Sequence, residues 1–182
     1  MTRQDLFNQL LNYHSDYLDE RNFVLRFLDL LSYPNCFERS LSFGHITASA
    51  WVTDQSLKQI LLLHHVKLNR WLQPGGHADG NENVLEVAQK ELEEETGLID
   101  FSFREKKIFD LDIHTIPERK SVPQHDHYDV RFHIIANNPN EICGNSESLA
   151  LKWVDLNDVP ELTNQEASIL RMIEKTRHAT IG

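Results

Sequence analysis

Residues 76–98 read GHADGNENVLEVAQKELEEETGL, and the reading of this stretch decides the fold. Gly75 and Gly76 open it and Gly97 closes it. Between them the spacing predicts a helix from about Val84 to Thr96, with Glu91, Glu94 and Glu95 at i, i+3 and i+4 on one face. The arrangement is costly. Like charges one turn apart repel, and carboxylates in the last turn face the negative end of the helix dipole. Two readings account for it. A solvated acidic face is the ordinary one. A bound divalent cation with oxygen ligands is the other, and it relieves the repulsion.

The flanks favour the cation. Gly76, Glu82, Glu91, Leu92, Glu94, Glu95, Gly97 and Leu98 fit G-x5-E-x7-R-E-U-x-E-E-x-G-U, where U is aliphatic. In these residues the chain resembles the Nudix hydrolase family. One position departs: Lys90 stands where the family usually carries Arg, a residue thought to orient the neighbouring carboxylates. Lysine keeps the charge but loses the planar fork, so slower turnover with intact ion binding is expected.

The resemblance implies an α/β (α+β) Nudix-type three-layer α/β/α sandwich with a mixed sheet. It also implies hydrolysis of a phosphoanhydride in a nucleoside diphosphate linked to another group, assisted by Mg2+ or Mn2+. Glu94 and Glu95 match the family's principal metal ligands, and Glu91 matches a further ligand or the base that activates water. The carbonyl of Gly75 falls where some members supply a backbone ligand. Many members add an acidic residue from a late loop. Glu147 is the candidate, and an exposed loop Glu is the competing reading.

The rest of the chain follows this frame. Residues 1–40 read as an N-terminal helical extension and 41–182 as the Nudix domain. Thr2 and Asp5 suit a helix start, and a second helix is expected over Asp19 to Leu31, its wide apolar face serving docking or dimerisation. From His45 the period becomes two, predicting a half-buried strand with Ile46, Ala48, Ala50 and Val52 inward. Gln59 to His65 reads as a central strand, and further strands are expected near 107–113, 127–136 and 149–155. A capping box from Thr163 to Glu166 is expected to start the last helix, and Gly97 suits a left-handed cap.

Histidine is abundant, with ten in 182 residues. Asp112 and His114 share one strand face; His127, Asp129, Arg131 and His133 share another. If these faces line one pocket, His127 and Arg131 would grip substrate, Arg131 as a phosphate fork. Asp112, His114, His125 and His127 could then hold a second metal, while the competing reading is a wet sheet face. Trp71 offers a ring for stacking a base, or simply packs in the core.

Lysine and arginine number 18 against 28 acidic residues, a formal charge of −10. Repulsion therefore opposes a nucleic acid polymer, whereas a small phosphorylated nucleotide-like substrate chelated to a cation is compatible. No run of 18 apolar residues marks a membrane span, and the opening MTRQDLFNQLLNY lacks a leader's apolar core, so the chain is read as cytoplasmic. A homodimer through the apolar arm fits the same picture. The alternative function is a non-catalytic Nudix-fold nucleotide sensor. A related isomerase would need a pocket cysteine, which Cys36 and Cys143 do not supply.

Overall fold

The computed structural model describes residues 1–119, 122–146 and 148–178. Its elements are α1 (Arg3–Leu11), α2 (Leu18–Leu30), β1 (Gly44–Thr53), β2 (Gln59–His65), β3 (Arg70–Leu72), β4 (Gly75–His77), α3 (Val84–Thr96), β5 (Phe101–Phe103), β6 (Asp110–Ile116), β7 (His125–Ala136), β8 (Ser148–Asp155), α4 (Val159–Leu162) and α5 (Ala167–His178). The chain divides into two compact units. The first comprises Met1–Ser49, Gly75–Gln89 and Lys106–Phe132; the second comprises Ala50–Pro74, Lys90–Glu105 and His133–Gly182. Among the described residues no helix is long and apolar enough to cross a membrane.

In the first unit, β4 runs antiparallel to β1, with Thr47 opposite His77 and Ser49 opposite Gly75. β6 runs antiparallel to β7, with Asp110 opposite Arg131 and His114 opposite His127. β1 and β7 are parallel neighbours: the Asp126 amide donates to the Phe43 carbonyl, and further along both strands Thr47 reaches Asp129. The sheet is therefore mixed. α1 begins where Thr2 and Asp5 suggested, and it does so with a capping box, Thr2 accepting from the Asp5 amide while Asp5 accepts from the Thr2 amide. Leu6, Leu10, Phe27 and Leu30 are buried, and Phe27 meets Tyr128 edge to face at 5.3 Å. Buried Glu20 was not foreseen. Its carboxylate accepts from the Tyr13 hydroxyl at 2.6 Å, from Ser15, and from the Leu111 amide at 3.0 Å, tying the helical arm to β6.

In the second unit, β2 pairs with β1, β3 and β8, all antiparallel, and β5 with β7. Ala50 and Val52 of β1 join Leu61, Leu92, Leu98, Ile134 and Ala136 in a buried cluster, which seats α3 on one face of the sheet. Trp51 points the other way, and its indole N–H donates to Thr176 of α5 at 2.9 Å. Helices thus cover both faces, the three-layer arrangement expected.

Two local expectations are corrected. β1 is buried along its whole length rather than on one face. In the second unit α5 covers the alternate side, and in the first unit Thr47 and Ser49 are sealed against a buried aspartate. The capping box at Thr163 does not form. Thr163 closes α4, its hydroxyl donating to the Val159 carbonyl, and Glu166 starts α5 by accepting from the Ser168 and Ile169 amides.

Candidate active site

α3 carries the acidic row to its C-terminal end, with no basic residue in the last turn. Glu91 is half-buried, Glu94 is exposed, and Glu95 is only 5% exposed. Gly97 ends the helix at φ +68, its amide donating to the Glu93 carbonyl at 2.9 Å, as its left-handed role required. The helix-end carbonyls are satisfied by a later loop: the Cys143 amide donates to Thr96 at 2.7 Å and the Asn145 side chain to Glu94 at 2.8 Å. Lys90 reaches Glu94 through a single contact of 3.6 Å on an exposed surface. That point contact is what replaces the planar fork of an arginine.

Gly75 lies in β4, where a Cβ would come within 2.3 Å of Ser49 Cβ, so no larger residue fits at this register. Gly76 lies in the same strand opposite Ala48 and is not among the positive-φ glycines. The left-handed residues come next, at Asp79 and Gly80. Glu82 is largely exposed and 3.4 Å from Arg3. Glu147 lies outside the described residues.

The polar face of β7 does meet that of β6, but Arg131 is committed inward. It is 4% exposed, with Nε 2.8 Å from Asp129, Nη1 3.2 Å from Asp110 and Nη2 3.2 Å from Asp112. Thr47 and Ser49 donate to the same Asp129 at 3.1 and 2.8 Å. Burial disfavours the guanidinium charge, yet Asp112, Asp129 and Asp110 outweigh it and hold the group more basic than an ordinary arginine. The fork expected to take a phosphate is spent on three carboxylates. Trp71, half-buried, stacks on His64 with ring centroids 5.1 Å apart.

His127 faces other histidines. Its ring lies 4.7 Å from that of His77, 5.2 Å from those of His45 and His125, and 5.4 Å from that of His114. Burial, followed by the neighbouring imidazoles, pushes the His127 pKa down to about 2. For His77, burial and then Arg39 push it to about 4; His45 is lowered by burial and then by His125. One set of three ligating atoms among the described residues lies within 4.8 Å, and it belongs to His45, His77 and His127. This differs from the expected grouping of Asp112, His114, His125 and His127. His45 went unnoticed because its only sequence signal is its place at the head of a period-two run.

A family model described as NUDIX domain matches residues 44–175. The chain belongs to the Nudix family. Membership places it among hydrolases of phosphorus-containing acid anhydrides, a family that typically acts on nucleoside diphosphate derivatives. Among solved structures, a Nudix-family hydrolase from Clostridium perfringens is 26% identical, with a TM-score of 0.56 over 74% of this chain and 97% of that one. The MutT protein from Methanosarcina mazei Go1 is 17% identical, with a TM-score of 0.60 over 78% and 99%. A C. elegans Ap4A hydrolase in a binary complex is 20% identical, with a TM-score of 0.58 over 75% and 98%. The last two likenesses speak for the Nudix fold. No curated protein matches the chain.

Proposed function

We propose that this Nudix protein is a magnesium- or manganese-dependent hydrolase of a phosphoanhydride in a nucleoside diphosphate linked to another group. Glu95 carries the reading. Its carboxylate is 5% exposed at the C-terminal end of α3, beside Glu91 and Glu94, with no basic residue in that turn. A row of carboxylates at this end of a helix is where a bound cation gains most, because it offsets both their mutual repulsion and the helix dipole. All-oxygen donors on one helix face fit a hard divalent ion, so Glu91, Glu94 and Glu95 would hold it. The reading also gives ligand roles to the Gly75 carbonyl and to Glu147.

When bound, such an ion neutralises charge developing on the phosphate oxygens and acidifies the attacking water. Glu91, the least fixed of the three in its role, serves as base for that water. Lys90 steadies Glu94 by a single contact. Trp71 offers the substrate a ring already oriented by His64. The two free cysteines, Cys36 and Cys143, suit a reducing, cytoplasmic setting. Leu18 and Leu25 of α2 are 63% and 68% exposed, which supports a homodimer through the extension 1–40. A sensor without activity gains no support, because every box carboxylate is retained.

The test is product release from a panel of nucleoside diphosphate derivatives with Mg2+ or Mn2+. Turnover of at least one member is expected. No turnover of any, with the ion demonstrably bound, would contradict the proposal.

A further inference from the structure

Three strands of the first unit each deliver one imidazole to the same point. His45 comes from β1, His77 from β4 and His127 from β7, and one nitrogen of each lies within 4.8 Å of the other two. We infer that these residues form a three-histidine site for a borderline-soft divalent transition metal, with zinc as the leading occupant, independent of the Glu91–Glu95 ion.

The first argument is the hydrogen-bond account. His45 is 3% exposed; its imidazole has the Leu41 backbone beside it, but neither ring nitrogen makes a well-formed hydrogen bond. The His127 Nε2 is buried and without a partner as well. An unsatisfied buried polar group costs about 1–3 kcal/mol, and native proteins rarely collect several at one place without a use for them. Simple packing does not explain the choice, since apolar rings would fill the space without orphaned nitrogens. A metal turns the orphaned lone pairs into ligands.

Preorganisation is the second argument. His77 sits one pair along from the Ala48–Gly76 register, opposite Thr47. His45 lies two residues before Thr47, on the same strand face. His127 lies two residues before Asp129, which is held by Thr47 and Ser49. The three ligands are thus fixed by sheet register and a buried network rather than by loops, as precise metal sites require.

The surroundings fit the same reading. His114 sits against His127, and its Nδ1 is 3.1 Å from Asp112. The ring of His125 stacks on that of His45 at 5.1 Å, with Nδ1 donating to the Pro123 carbonyl at 2.8 Å. Burial disfavours the charged form of His45, His77 and His127, and neutral imidazole is the form that binds metal. All-nitrogen donors suit zinc and its neighbours and are poor partners for magnesium. Three protein ligands leave a fourth position open for a small molecule.

The test uses untagged protein stripped with chelator, titrated with Zn(II) by calorimetry in excess Mg(II), and with Co(II) followed by visible absorption. One equivalent should bind with a higher melting temperature and a four-coordinate cobalt spectrum. Ring-nitrogen NMR shifts of the wild-type protein should move for His45, His77 and His127 on adding Zn(II). His77→Asn and His127→Gln should each weaken binding by more than the roughly 10–100-fold lost with a residue that only orients a ligand. Glu94→Gln should bind Zn(II) like the wild type, so this site can fail or stand apart from the hydrolase reading. Folded wild-type protein that takes up no Zn(II), or ring nitrogens that do not move, would overturn the inference. So would binding lost in Glu94→Gln but kept in His77→Asn.

Discussion

Arg131 Nη1 lies 3.2 Å from Asp110 Oδ1, and the two side chains are 4% and 0% exposed. With Asp112 and Asp129 on its other nitrogens, this one guanidinium holds three carboxylates together inside the first unit. Arg131→Met would remove the guanidinium they share and leave the buried carboxylates facing one another. The expected loss is about 3–5 kcal/mol of folding stability, the usual cost of stranding one side of a buried ion pair. Urea denaturation measures it, and a loss below about 1 kcal/mol would show that the network is dispensable.

Gly75→Ala tests the register of β4 on β1. The added methyl would sit 2.3 Å from Ser49 Cβ, so the strands must shift. Destabilisation of about 1–3 kcal/mol or more is expected, and adding Ser49→Gly should recover part of it. A Gly75→Ala variant melting with the wild type would disprove the close approach.

Lys90→Arg restores the planar fork beside Glu94. It should raise kcat several-fold while the dependence of rate on metal concentration stays put, since the substitution changes orientation more than charge. An unchanged kcat would mean that Glu94 needs no such clamp.

Stability should fall in mild acid. Burial, then Arg104, hold the His133 pKa near 4 against an ordinary 6.5. A folded-state value below the unfolded one favours the neutral ring, so this contribution is complete above pH 6.5. It is lost as pH falls from 6.5 through 4, by up to about 3 kcal/mol. In urea melts across that window, His133→Gln should show a shallower decline than the wild type. Equal slopes would refute the assignment.

What was legible in the sequence was local. The acidic helix ends where Gly97 supplies its positive φ, and α1 starts at Thr2 and Asp5, because each depends on residues within one or two turns. What was not legible depended on register between distant strands. Alternation placed Asp129 and Arg131 on one face, but only the β6–β7 pairing puts Asp110 opposite Arg131 and converts an expected phosphate fork into a core ion network. His45, His77 and His127 have no spacing that a motif could capture; they meet because β1 has β4 and β7 as neighbours. β1 looked half-buried because its alternate residues are polar or aromatic, and tertiary partners bury them anyway.

The most direct measurement is the initial rate of product release as Mg2+ or Mn2+ is titrated, with wild-type protein and Glu94→Gln compared on the best substrate of the panel. The account predicts no turnover without added ion, saturation as the ion rises, and a fall of at least about a hundred-fold in kcat for the variant. Turnover that ignores the ion, or a Glu94→Gln variant as fast as the wild type, would contradict it.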